Sequence, residues 1–298
     1  MRMSDVLVVA PVNKSKRLPI WLRRPSASVH ETVQLKKLLR EAKLNTVCEE
    51  ARCPNIAECF SRGTATFMIL GDVCTRGCRF CSVSTGRPVF SPDNFEIEAE
   101  SVADAALQLS LRHVVLTSVA RDDLRDGGAS GFRLTIAALR RKIPNVTIEV
   151  LIPDFRGKQS ALRTVLDAEP DVLNHNLETV PRLYRKVRPG ASYQHSLALL
   201  SRAKQLQPTI MTKTGIMLGL GEHENEVLEL MRSAREHGID IFTAGQYLQP
   251  TRKHLCVVEY ISPEDFESYR RSAEKIGFPK VYIGPLVRSS YHADEALA

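Results

Sequence analysis

Beyond residue 63 the chain alternates between two periodicities. Short apolar, β-branched runs at 66–70, 114–118, 147–151, 172–174, 213–218 and 239–243 predict strands. Between them, apolar residues recur at helical spacing over 100–111, 131–142, 158–168, 193–206 and 223–237. A last helix is predicted by ISPEDFESYRRSAEKIG. Ser262 offers a capping oxygen, Pro263 suits the first position, and Gly277 ends the helix. KVYIG, from residue 280, reads as one more short strand. Upstream, ETVQLKKLLREAKL sets Val33, Leu35, Leu38, Leu39 and Ala42 at near-helical spacing.

Alternating strands and helices argue for parallel strands joined by right-handed crossovers. Six such units predict an α/β fold, a partial TIM-type (β/α)6 barrel with N-terminal and C-terminal extensions. A flat doubly wound sheet is the alternative. The expected division is a basic arm with a cysteine segment at 1–63, the barrel at 64–279, and a C-terminal segment at 280–298. In either architecture the active site lies at the carboxyl ends of the strands.

Composition and charge narrow the class. With 43% hydrophobic and 25% charged residues among 298, the chain reads as an ordinary soluble protein. No apolar run approaches the roughly 18 residues of a membrane span. MRMSDVLVVAPVNKSKRL makes a poor signal peptide, with an acid before its short apolar stretch and no small-residue cleavage site. A cytoplasmic monomer is expected. Residues 1–47 hold ten Lys/Arg and three Asp/Glu, whereas the rest holds 31 of each. This basic arm reads either as a solvated tail or as a dock for an acidic partner. Nucleic acid is disfavoured, since Trp21 is the arm's one aromatic platform.

Six of the seven cysteines fall between residues 48 and 81, in two triplets, which points to metal in a reducing compartment rather than to disulfides. Cys74, Cys78 and Cys81 form C-x3-C-x2-C directly after the first predicted barrel strand. Three thiolates on one loop, with Gly77 allowing a tight turn, can hold three corners of a cubane cluster and leave the fourth iron open. Structural zinc takes four ligands, usually in C-x2-C pairs, and ferredoxin clusters close with four cysteines. Neither triplet offers a local fourth. This spacing, with Phe80 before the last cysteine, resembles the radical S-adenosylmethionine (SAM) superfamily. Cys48, Cys53 and Cys59 form C-x4-C-x5-C, which alone says little more than metal.

Taken together, CEEARCPNIAECFSRGTATFMILGDVCTRGCRFC resembles the lipoyl synthase family. The resemblance continues through WLRRP, TSVARDDLRDGGA, NHNLETV, the VRP-A-Y--SL pattern that begins at Val187, GIMLGLGE, GQYLQPTRKHL and RSSYHA, over most of residues 20–293. It implies two 4Fe–4S clusters and SAM. The cluster on Cys74, Cys78 and Cys81 cleaves SAM. The cluster on Cys48, Cys53 and Cys59 supplies sulfur, with Ser290 of the RSSY motif as its fourth ligand and Ser289 as the fallback. The implied substrate is octanoyl-lysine on a lipoyl carrier domain, sulfurated at carbons 6 and 8, with an electron donor such as ferredoxin or flavodoxin. The rival reading is another radical sulfur inserter, biotin-synthase-like or a methylthiotransferase. A second rival is a non-catalytic iron–sulfur or zinc protein that docks nucleic acid.

Position at strand ends suggests the SAM contacts. Thr117 and Ser118 lie toward the methionine portion. Asn174, Asn176 and Glu178 lie toward the ribose, and Met217 and Leu218 toward adenine. Each is equally a residue type that loops favour for their own turns. His175 is the best placed of the histidines, with a satisfied barrel histidine as the alternative. Cys256, alone in HLCVV, reads as a bystander. Ala120 stands where the family usually has Asp, which puts in doubt any carboxylate role there, but Asp122 and Asp123 follow it.

Overall fold

A computed structural model describes residues 18–23, 45–46, 55–291 and 293–297. Cys48, Cys53 and the helix expected at 31–44 lie outside the described residues.

The strands are β1 (Asn45–Thr46), β2 (Thr64–Ile69), β3 (Val73–Cys74), β4 (Ser84–Thr85), β5 (His113–Ser118), β6 (Thr147–Leu151), β7 (Val172–Asn174), β8 (Met211–Leu218), β9 (Ile241–Gln246) and β10 (Lys280–Ile283). The helices are α1 (Ile56–Ser61), α2 (Phe95–Gln108), α3 (Ala129–Lys142), α4 (Gln159–Leu166), α5 (Tyr184–Val187), α6 (Tyr193–Leu206), α7 (Glu224–Glu236) and α8 (Pro263–Ile276).

One sheet runs in the order β1-β2-β5-β6-β7-β8-β9-β10. All neighbours from β2 to β10 pair in parallel, and β1 pairs antiparallel with β2. Spatial order follows chain order without reversal. A doubly wound sheet reverses its strand order at a switch point; a TIM-type sheet proceeds around one direction. The fold is therefore a partial barrel of six strand–helix units, with β10 added as a further parallel strand beside β9. Among the described residues, no pairing joins β10 to β2, so the barrel is not closed by strand hydrogen bonds.

The local reasons are simple. Every residue of β2 and of β9 is buried, as strands covered on both faces must be. Helix α2 turns Phe95, Ala99, Val102, Ala103 and Ala106 into the core. Helix α8 begins where Ser262 accepts the Asp265 N–H and ends at Gly277, at φ 94°. Among the described residues no helix is long and apolar enough to cross a membrane.

Candidate functional site

Strand β2 ends in a strained turn. Leu70 takes φ 72° although it is fully buried, and Gly71 takes φ 90°. A β-carbon at Gly71 would meet Phe90 Cβ at 2.9 Å, so glycine is required there. Glu98 of α2 accepts the Leu70 N–H at 2.8 Å, and Arg121 donates to the Leu70 carbonyl at 3.2 Å. Burial pushes the Glu98 carboxyl up to about 7, against the pull of the Leu70 and Gly71 amides and Arg121.

This turn launches the loop with Cys74, Cys78 and Cys81, all half-buried and in no disulfide. The loop is bound on several sides. Cys74 pairs with Thr85 in the small β3–β4 sheet. The Arg76 and Ala120 N–H groups both donate to Cys74 Sγ, at 3.4 and 3.3 Å. The Thr75 N–H and hydroxyl both donate to the Ala120 carbonyl, at 3.0 and 2.9 Å. Residue 120 thus serves through its backbone, and its side chain is not what holds the loop. Arg79 donates its N–H to the Val187 carbonyl and accepts from Leu255. His254 donates from Nε2 to the Cys81 carbonyl at 2.8 Å, while its Nδ1 accepts from Thr251. Phe80 packs against the core. Gly77 departs from expectation. It does not adopt a left-handed conformation, and a β-carbon there would meet Thr85 only at 3.9 Å, so the turn does not need glycine on these grounds.

The thiols respond to one another. Burial pushes the Cys78 thiol up to about 11; Arg188 pulls it down, while Glu178, Cys81 and Cys74 push it up. Burial likewise raises Cys81, and Cys74 and Glu178 add to the rise. Thiols held protonated in this way become thiolates when a cationic centre binds them. Among the described residues, no group of three or more His, Cys, Asp or Glu could hold a single metal ion. A cubane presents its irons at separate corners, and its three ligands need not converge on one point. The loop, its amide donors and its three thiols, none of them in a disulfide, therefore suit a cluster.

The other strand ends surround this loop. Thr117 and Ser118 close β5. The Thr117 hydroxyl donates to the Leu151 carbonyl at 3.0 Å, whereas Ser118 Oγ is buried with no partner. Asn174 closes β7, and its amide donates to Glu149 Oε1 at 2.8 Å within a fully buried pair, Glu149 with Lys213. The Asn176 side-chain amide donates to the Glu178 carboxylate, and its Oδ1 has no partner. Burial raises the Glu178 carboxyl, against the pull of Arg188 and Asn176. The Met217 N–H donates to the Glu178 carbonyl, and the Leu218 carbonyl accepts from Tyr247 N–H and Gln246 Nε2. His175 is saturated: Nδ1 lies 2.7 Å from the Ile152 carbonyl and Nε2 3.0 Å from Ser196 Oγ. Burial holds its imidazole down, to about 4. It is a satisfied barrel histidine. Cys256 is exposed.

The C-terminal segment returns to the start of the barrel. After β10, the Tyr291 N–H closes a turn onto the Arg288 carbonyl at 2.9 Å, with Ser289 and Ser290 between them. The Tyr291 hydroxyl donates to Glu58 Oε1 at 2.9 Å, and Glu58 adjoins Cys59 on α1. Asn55 donates to the Leu286 carbonyl at 2.8 Å, and Arg62 pairs with Asp294 and Glu295, each at 2.6 Å. Four contacts, each spanning more than 230 residues, fasten the segment of the serine motif to the helix of Cys59 and its two ends.

A model of the radical SAM superfamily matches residues 68–234, and a model of the N-terminal domain of lipoyl synthase of that family matches residues 5–53. Lipoyl synthase of Neisseria gonorrhoeae is 53% identical over 292 residues, 97% of this chain and 88% of that protein. Lipoyl synthase of Caldanaerobacter subterraneus is 55% identical over 95% of this chain and 98% of its own. The chain belongs to the lipoyl synthase family. It is thus a radical SAM enzyme, a class that uses a 4Fe–4S cluster and SAM. Solved structures of lower identity share the fold alone. Streptococcus suis SuiB bound to precursor peptide SuiA gives a TM-score of 0.59 at 12% identity, over 88% of this chain and 56% of its own. Methylornithine synthase gives 0.53 at 16%, over 83% and 73%.

Several residues of this lipoyl synthase fold escaped the sequence reading. Arg188, buried beside Cys78 and Glu178, donates to the Asn176 carbonyl at 2.8 Å and lies in the VRP motif. His254 lies in GQYLQPTRKHL. Arg76 sits within the cysteine motif itself. Their motifs were visible, but a motif does not say which distant group a side chain meets.

Proposed function

We propose that the chain inserts two sulfur atoms, at carbons 6 and 8 of an octanoyl-lysine carried by a lipoyl carrier domain. Cys74, Cys78 and Cys81 hold one 4Fe–4S cluster with an iron corner left for SAM. When bound, that cluster supplies the single electron that cleaves SAM and gives the radical needed to break unactivated C–H bonds. Cys48, Cys53, Cys59 and Ser290, with Ser289 as the alternative, hold the second cluster, which is the sulfur-donating substrate and is consumed. A hydroxyl oxygen is a poorer iron ligand than a thiolate, which suits a cluster that must come apart.

The protein's part is binding and orientation. Ser118 has an unpartnered hydroxyl to offer the methionine portion, beside Thr117. Glu178, with Asn176 and Asn174, accepts from the ribose hydroxyls, and Arg188 balances the buried carboxylate. Backbone groups at Met217 and Leu218 border adenine. An electron donor such as ferredoxin or flavodoxin and the octanoylated carrier are the partners, and the enzyme acts as a cytoplasmic monomer. Residues 1–63 form the basic arm and donor-cluster segment, 64–279 the barrel, and 280–298 the RSSY segment.

The observation that carries this reading is the bond from Tyr291 to Glu58, because it brings the serine motif to the helix of Cys59. The test is anaerobic reconstitution followed by turnover of an octanoyl-lysine peptide. About eight irons per chain and a product heavier by two sulfurs are expected. One or two zinc ions per chain, or no sulfurated product, would end it.

A further inference from the structure

We propose that Arg76 is a positioning residue that holds the cysteine loop in its cluster-receiving shape before any iron arrives. Arg76 lies between Cys74 and Cys78. Its Nε and Nη2 donate to Asp122 Oδ2 and Oδ1, both at 2.8 Å, and Nη2 also donates to Asp154 Oδ1 at 2.6 Å. Asp122 follows β5 and Asp154 follows β6. Arg156 completes the set: its Nη2 reaches Asp122 Oδ2 at 3.0 Å, and its N–H donates to Asp154 Oδ1 at 2.9 Å. Two buried carboxylates thus share the buried Arg76 guanidinium, and the largely exposed guanidinium of Arg156 closes the charge to zero from the solvent side.

The network ties the ends of three adjacent strands, β2, β5 and β6, to the loop that the thiols occupy. The backbone repeats the tie. Thr75 bridges the Ala120 carbonyl and the Asp122 N–H, and two amides already point at Cys74 Sγ. Only an arginine serves here. A guanidinium presents a planar fork that grips both oxygens of one carboxylate and still reaches a second, whereas an ammonium is a point donor. The arginine also stays charged throughout the accessible pH range. Ordering a loop costs conformational entropy, and a loop ordered in advance spares that cost when the ligand binds. Arg76 accordingly keeps the three thiols presented in the metal-free chain. This rests on the reading that the loop receives a cluster.

The test compares wild type with Arg76→Lys in two states. In the metal-free full chain, amide hydrogen exchange across residues 73–81 should quicken at least about tenfold in the variant, with α3 and α6 unchanged. In the anaerobically reconstituted chain, one of two phases of iron release to a chelator should quicken by about the same factor. The reduced cluster's electron paramagnetic resonance signal, and its change on adding SAM, should weaken. Wild-type exchange and release in Arg76→Lys would overturn the proposal. Should that variant not fold, the triple variant Arg76→Met, Asp122→Asn, Asp154→Asn, which leaves only the exposed Arg156 charged, carries the same expectation and the same refutation. A wild-type chain that takes up no iron would instead overturn the cluster reading, and the exchange arm would still judge Arg76.

Discussion

The loop that carries Cys74, Cys78 and Cys81 and the segment that carries Ser289 and Ser290 are both fastened by arginine–carboxylate pairs, but in different surroundings. Around the loop, the Arg76, Asp122 and Asp154 side chains are 9%, 10% and 5% exposed. At the C-terminal segment, Arg62, Asp294 and Glu295 are 34%, 24% and 39% exposed. Breaking a buried pair strands a charge in a poor solvent, whereas water readily replaces an exposed partner. One attachment is therefore close to permanent and the other is exchangeable. That difference suits the two proposed tenants, a resident cluster and one that is spent and rebuilt.

The sharpest way to break the comparison is to separate the two sites chemically. Cys74→Ala should lower SAM cleavage by at least about a hundredfold. Cys59→Ala should leave cleavage within about threefold of wild type and yield no lipoyl product. Liquid chromatography of 5′-deoxyadenosine beside mass spectrometry of the peptide reads both quantities. Equal loss of cleavage in the two variants would mean that the triplets do not divide the labour.

A smaller effect tests the buried half. Arg76→Gln leaves two carboxylates without their main partner and should cost about 3–5 kcal/mol in urea unfolding of the metal-free chain. The pH dependence has a definite sign. Burial alone would raise the Asp154 carboxyl, but the hydrogen bond and the charge of Arg76, joined by the Arg156 N–H, together outweigh it and hold the group at about 2 against an ordinary 3.8. Its contribution is complete above the unfolded value and is lost as pH falls from there through about 2. Wild type should lose stability across that window, and Arg76→Gln should show a shallower slope there. Equal slopes would place the acid sensitivity elsewhere.

How much of this was legible in the chain depends on the range of the cause. Runs 147–151 and 172–174 and the helix 193–206 appear with the expected bounds, because local periodicity determines them. The helix expected at 100–111 instead spans 95–108. It starts early because Ser91 and Pro92 open a turn that runs into it, and stops early because Ser110 turns left-handed at φ 51°. The strand expected at 239–243 begins at Ile241, since Asp240 is held in the turn, where its carboxylate accepts from Thr212 N–H and hydroxyl. It runs on through Gly245 and Gln246 because β8 pairs with them, a tertiary cause that overrides their low strand preference. The site divides in the same way. Cysteine spacing is local and was readable. The grip of Arg76 on Asp154 spans 78 residues, and that of Tyr291 on Glu58 spans 233. No local pattern encodes such partners.

The smallest effect sharpens the exposed half. Arg62→Gln removes one side of a half-exposed double pair, and such pairs contribute about 0.2–1 kcal/mol. Global unfolding should barely move. Local release is the better measure, because the same small energy governs how often residues 286–295 lift from α1. Limited proteolysis of the folded chain should cut this segment about two- to fivefold faster in the variant. Salt supplies the internal control. Charges this exposed are screened as ionic strength rises, since the screening length shrinks to about 3 Å at 1 M salt. Wild type should therefore approach the variant's cleavage rate in high salt, while the exchange rate of the buried loop at 73–81 stays put. If both regions loosened together in salt, the attachments would be alike in kind, and the contrast between a fixed and a releasable site would have no physical basis.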